Sequence, residues 1–119
     1  MTRFREPFPI VYVEDVGRAV DFYVAALGFE LGFRWPAEGE ISFAFLKLEP
    51  LGIGIGRRHE HSVGEFELCV YADDVDAAAS HVRSAGATEV MAPRDEPWGE
   101  RRGYYRAPDG TLLHVVAPL

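Results

Sequence analysis

One short phrase occurs twice, about half a chain apart. Val11-Tyr12-Val13-Glu14-Asp15-Val16 and Val70-Tyr71-Ala72-Asp73-Asp74-Val75 are both apolar runs closed by an acidic pair. Each precedes apolar residues spaced by three and four that stop at a glycine, Gly28 or Gly86. A duplication on this scale predicts two related modules. Neither holds enough apolar mass to be comfortable alone, so they are expected to pair.

The spacing predicts a first helix from about Val16 to Leu27, with Val16, Ala19, Val20, Tyr23 and Leu27 on one face. Asp15 suits its N-cap, because the carboxylate can accept from the free amides of the first turn. Gly28 suits the left-handed position just past its end. The second helix repeats this: Asp74 as cap, Val75, Ala78, Ala79, Val82 and Ala85 inside, Gly86 as stop.

The remainder reads as strand. Residues 8–13 and 66–71 precede the helices, 30–35, 41–48 and 51–56 follow the first, and 88–91, 103–106 and 111–116 follow the second. Glu49-Pro50-Leu51-Gly52 reads as a turn, and Pro108-Asp109-Gly110 as a strong hairpin turn. The polar stretch 57–64 is the expected link between halves, and its His59-Glu60-His61 reads as loop rather than metal site. His81 reads as a surface or boundary position on the second helix. Each half is therefore β-α-β-β-β. The expected fold is α+β, with two paired βαβββ modules (about 6–57 and 65–119) curving one sheet around a cavity and helices outside, in one domain over 1–119.

Length and composition fit this: 119 residues with 48% hydrophobic and 26% charged residues make one ordinary globular core. No apolar run approaches the ~20 residues of a membrane-spanning helix, and the charged start does not read as a secretory signal. The expectation is a cytoplasmic protein without membrane partners. The lone Cys69 excludes an internal disulfide and reads as a small buried hydrophobe. Twelve basic against 19 acidic residues, net −7, argue against nucleic acid as a partner. They permit a cationic ligand.

Beyond the pattern lies a likeness. Tyr12-Val13-Glu14-Asp15-Val16-Gly17-Arg18-Ala19-Val20-Asp21-Phe22-Tyr23, Leu27-Gly28-Phe29, Asp73-Asp74-Val75-Asp76-Ala77-Ala78, Trp98-Gly99-Glu100-Arg101 and Arg106-Ala107-Pro108-Asp109-Gly110-Thr111-Leu112-Leu113-His114 resemble the vicinal oxygen chelate superfamily. That superfamily holds glyoxalases, bleomycin-resistance proteins, fosfomycin-resistance thiol transferases and extradiol dioxygenases. The likeness covers nearly the whole chain. It implies the fold but not one activity, because the scaffold hosts several.

In metal-dependent members, side chains from the first and last strands of each half hold a divalent ion. Carried over by spacing, those places fall at Phe8, Glu67, His114 and near Gly54 or Ile55. Phenylalanine, glycine and isoleucine supply no donor. The remaining two are too few for a catalytic zinc site, which uses three and a water. Mg²⁺ and Mn²⁺ want more oxygen than Glu67 alone provides. No cofactor is expected; Glu67 and His114 are the candidate pair if a divalent metal is held. Without one, they read as a hydrogen-bonded pair facing each other. That loss resembles the bleomycin-resistance branch, which keeps the fold, lacks the metal site and sequesters a ligand. The branch also implies a homodimer.

Strand alternation groups Phe8, Ile10 and Tyr12; Glu67, Cys69 and Tyr71; and Leu112, His114 and Val116. Tyr104, with Arg102 and Arg106 on its parity, falls where dioxygenases of similar fold carry an acid-base tyrosine. Here it reads as a cavity wall or hydrogen-bond donor. Trp35, Trp98 and Phe43 or Phe45 are rim candidates, while the face of Phe43 and Phe45 reads equally as core beneath the first helix. The alternate glycines of Gly52-Ile53-Gly54-Ile55-Gly56 read as clearing space for backbone or ligand on the cavity floor beside His114. The expected ligand-binding set is Phe8, Tyr12, Trp35, Phe43, Phe45, Glu67, Trp98, Tyr104 and His114, with no catalytic residue. The expected function is sequestration of an aromatic or cationic small molecule. The alternatives are a metal-dependent lyase, isomerase or dioxygenase with atypical ligands, a metal-free enzyme using His114 as base, and a partner-binding module.

Overall fold

The computed structural model describes residues 2–119. It is α+β, with eight strands and two helices among the described residues: β1 (Phe4–Tyr12), α1 (Val16–Leu27), β2 (Glu30–Trp35), β3 (Phe43–Leu48), β4 (Leu51–Gly56), β5 (Phe66–Ala72), α2 (Val75–Ser84), β6 (Thr88–Glu96), β7 (Glu100–Arg106) and β8 (Leu112–Pro118). The chain divides into two compact units. The first is Phe8–Glu60; the second is His61–Leu119 together with the residues up to Pro7.

In the first unit, β4 pairs parallel with β1, setting Ile10 against Gly54, and antiparallel with β3, which pairs antiparallel with β2. In the second, β8 pairs parallel with β5, setting Cys69 against His114, and antiparallel with β7, which pairs antiparallel with β6. The connectivity is βαβββ both times.

The helices form where the apolar spacing puts them. The Asp15 carboxylate accepts from the Arg18 amide and the Asp74 carboxylate from the Ala77 amide, both at 3.0 Å. Each cap satisfies one amide that the first turn leaves bare. Gly28 closes α1 at φ +80°, a left-handed conformation that glycine takes without strain. On α1, Val16 and Val20 bury against Ala44, Leu46 and Ile55. On α2, Ala78 and Ala79 bury against Ala72, Tyr105 and Val115. The last turns are less buried than their spacing predicts: Leu27 and Ala85 stand exposed, and α2 ends at Ser84 with Ala85 as its C-cap.

One open reading is settled and two further expectations need correction. The face of β3 beneath α1 is Ala44 and Leu46, not Phe43 and Phe45, which stand on the other side of the sheet. The turn after β3 is only Glu49 and Pro50, since Leu51 already pairs with Leu48 and Gly52 with Lys47. β6 runs five residues beyond Met91, because its register with β7 shifts between Met91 and Arg94. Proline has no amide to give to a ladder, and a shift lets Pro93 sit inside a strand.

The alternate glycines of β4 have a visible reason. A Cβ on Gly52 would lie 2.3 Å from Phe45 Cζ, and one on Gly54 would lie 2.8 Å from Ile10 Cγ1 and 3.1 Å from Phe43 Cε1. The cleared space is filled by this unit's own side chains. The edge of Phe8 closes on Phe45 with ring centres 4.9 Å apart.

Candidate functional site

The polar chemistry of the second unit lies on the sheet face turned away from α2. Alternation along β5 sends Leu68 and Val70 to the helix side and Glu67, Cys69 and Tyr71 to the other. On β8, Leu113 and Val115 take the helix side, leaving His114 opposite; on β7, Tyr105 goes to the helix and Tyr104 opposite. Register then fixes the neighbours. Cys69 and Tyr104 flank His114 on the two strands beside it.

Glu67 and His114 are the centre of this face. Glu67 is 2% exposed and His114 7%. Glu67 Oε2 and His114 Nδ1 are 2.9 Å apart, a hydrogen bond within a buried pair. His114 Nε2 is also buried and has no hydrogen-bond partner among the described residues. The Tyr104 ring lies tilted against the imidazole with centroids 4.9 Å apart, and the His61 ring centroid lies 5.5 Å from that of Tyr104.

A second group anchors Tyr104. Arg102 Nη1 donates to the Tyr104 hydroxyl oxygen at 2.8 Å, and Arg102 Nε donates to Glu96 Oε2 at 2.6 Å. Its guanidinium lies 4.7 Å from the Trp98 ring centre and 5.1 Å from that of Tyr104. Arg94 Nε also donates to Glu96, whose carboxylate is nearly buried. Trp98 Nε1 donates to Glu100 Oε1 at 2.9 Å, and the Tyr71 hydroxyl donates to Glu100 Oε2. Glu96 thus takes both guanidiniums, Arg94 and Arg102. Burial, then the negative charge of Glu67 and Glu100, pushes the Cys69 thiol up, so it stays protonated and unreactive. Burial and Glu100 push Tyr71 up to about 12.

Four expected site residues, Glu67, Trp98, Tyr104 and His114, therefore gather on one face. The others belong to the first unit. Phe8, Phe43 and Phe45 pack with Ile10 and the β4 glycines. Tyr12 is buried, with Arg58 over its ring at 5.3 Å and the His59 ring edge-on at 5.9 Å. Trp35 ends β2 opposite Phe43 and is 38% exposed. His59 and His61 each lie against a tyrosine. Sequence reasoning placed Arg102 on the parity of Tyr104 but missed Glu96 and Glu100. Extending that alternation back from Tyr104 through Arg102 reaches Glu100, and hairpin pairing then supplies Glu96 opposite it.

On the helix side of the same sheet, a cavity of about 330 Å³ is lined by Leu68, Val70, Val82, Leu113 and Val115 among others. Its walls are nearly all hydrocarbon, with His81 the one titratable side chain among the lining residues described.

The family model for the Glyoxalase/Bleomycin resistance protein/Dioxygenase superfamily matches residues 7–115. An uncharacterized protein of Mycobacterium bovis is 31% identical over 124 residues, covering 93% of this chain and 82% of its own. One from Mycobacterium tuberculosis H37Rv has the same identity over 73% of its length. A superfamily member from Vibrio splendidus 12B01 superposes with a TM-score of 0.71 at 21% identity, covering 96% of this chain and 98% of that one. The Mn(II)-bound glyoxalase of Novosphingobium aromaticivorans superposes at 0.64 and 22% identity, covering 98% of this chain and 40% of that one.

A divalent metal, which that fold often carries, does not fit the donors present. Among the described residues, no three His, Cys, Asp or Glu side chains come together to hold an ion. Glu67 and His114 are already bonded to each other.

Proposed function

This chain belongs to the glyoxalase/bleomycin resistance protein/dioxygenase superfamily, and from that premise we propose that it is a small-molecule-binding protein that sequesters an aromatic or cationic ligand. The observation that carries this reading is the buried Glu67–His114 pair, which no third His, Cys, Asp or Glu side chain joins among the described residues. Beside it stand aromatic faces an organic ligand can stack on, the Tyr104 and His61 rings. Planar cations gain from such faces through stacking and cation–π attraction, about 0.5–2 kcal/mol per contact.

The test is a titration with proflavine, a planar aromatic cation, in a Trp35→Phe background so that Trp98 reports. Saturable quenching is expected, weakened about tenfold by Tyr104→Ala. Metal content measured on the same protein after incubation with Mn²⁺, Ni²⁺ and Zn²⁺ and desalting is the counter-test. One ion retained per chain and lost in Glu67→Ala or His114→Ala would overturn the reading in favour of a metal-dependent enzyme.

A further inference from the structure

His114 has two ring nitrogens, and the protein uses one. Nδ1 lies 2.9 Å from Glu67 Oε2. Against an ionised carboxylate, which only accepts hydrogen bonds, this contact needs the proton on Nδ1. A neutral imidazole protonated there carries a lone pair on Nε2. That atom is buried and has no partner among the described residues, although the residue is more than nine-tenths buried. An unmet buried acceptor forfeits the hydrogen bonds it would make to water. Native proteins keep few such atoms, and those they keep call for an explanation.

The surroundings narrow the explanation. The nearest ring is Tyr104, held from behind by Arg102, which is in turn held by the nearly buried Glu96. The imidazole is thus fixed on one side by Glu67 and overlaid by a ring that is itself braced. A pre-set acceptor beside an aromatic surface matches a planar molecule carrying one N–H or O–H in its plane. An anion is disfavoured there, since Glu67 already supplies negative charge on the other side of the ring. We infer that His114 Nε2 is the acceptor for a single N–H or O–H donor of a planar aromatic ligand, and that Glu67 sets it in that role by holding the proton on Nδ1. This rests on the binding reading above and adds the ligand's chemical signature to it.

The matched probes are indole and 1-methylindole, which share a ring system and differ by one N–H. Both are titrated into ¹⁵N-labelled protein and followed by NMR, after the His114 ring nitrogens have been read in the free protein. The expected result has three parts. The proton resides on Nδ1; indole binds about fivefold or more tightly than 1-methylindole; and His114→Phe, checked for an unchanged amide fingerprint elsewhere, removes that preference while still binding both. His114→Gln, which keeps an acceptor, should restore part of it. A proton on Nε2 in the free protein, or equal affinity for the two indoles in the wild type, overturns the inference and leaves aromatic binding standing. If neither indole shifts any resonance of this face, the inference falls, and the proflavine titration decides the binding reading by itself.

Discussion

Two buried side-chain polar atoms lack a partner among the described residues, and their surroundings predict opposite outcomes on mutation. His114 Nε2 sits among polar groups; the Tyr105 hydroxyl sits in the core beneath α2, in the space that Gly103 leaves open. Removing an unsatisfied buried hydroxyl relieves its desolvation cost, so Tyr105→Phe is expected to stabilise the protein by about 1 kcal/mol in urea denaturation. A loss of similar size would show that the hydroxyl has a partner in solution. Replacing Glu67 by leucine acts the other way, leaving the imidazole with two unmet nitrogens. A destabilisation of about 2–3 kcal/mol is expected, and an unchanged urea midpoint would refute the pairing's structural weight. The pair is legible because the resemblance, carried over by two spacings, one counted back from a helix cap and one on from a turn, marks its positions. Glu96 is missed because local pattern ends β6 at Met91, which leaves undrawn the hairpin that sets Glu96 opposite Glu100 and near Arg102.

Elements were easier to read than their faces. Both helices begin where aspartate can cap and apolar spacing starts, since those signals are local. The faces of β3 were not settled, because Ser42 to Leu48 is apolar on both sides and alternation then decides nothing. What decides it is volume: small Ala44 lets α1 approach, while the two rings need the room that glycine leaves on β4. Gly54→Ala should therefore cost about 1–3 kcal/mol, since its Cβ meets both Ile10 and Phe43. The check is chemical denaturation beside Gly39→Ala, whose added carbon meets nothing. Gly39 has φ +83°, so its own cost would be backbone strain alone. If Gly54→Ala costs nothing measurable, the ring-in-glycine packing is not what fixes that strand.

At the scale of the whole molecule, alkaline pH tests the burial pattern. Tyr71 and Tyr105 are both pushed up to about 12, with burial the first cause in each. In the unfolded chain a tyrosine loses its proton near 10. Above that pH the unfolded state binds fewer protons than the native one, so stability falls with rising pH. Their contribution should be complete below about pH 10 and lost as pH climbs through about 12. Urea midpoints across that range should fall less steeply in a Tyr71→Phe, Tyr105→Phe double variant. Equal slopes would deny both burial effects. Association is the second test. Leu31, Phe33 and Trp35 lie exposed along β2, which in its unit pairs only with β3 among the described residues. A homodimer is expected by sedimentation, weakened by Phe33→Ser; a monomer at all concentrations, with no change in the variant, would remove it.

The two units share one plan and have spent it differently. One fills the far side of its sheet with phenylalanine rings seated over glycines; the corresponding side of the other carries Glu67, Tyr104 and His114. A duplicated architecture divided this way separates what must stay constant from what can vary. Under the proposed function, ligand preference rests on a few polar residues of β5, β7 and β8, and exchanging them leaves the aromatic packing of the sister repeat untouched. The duplication thus offers evolutionary latitude: one copy can hold the scaffold while its twin is free to change trade.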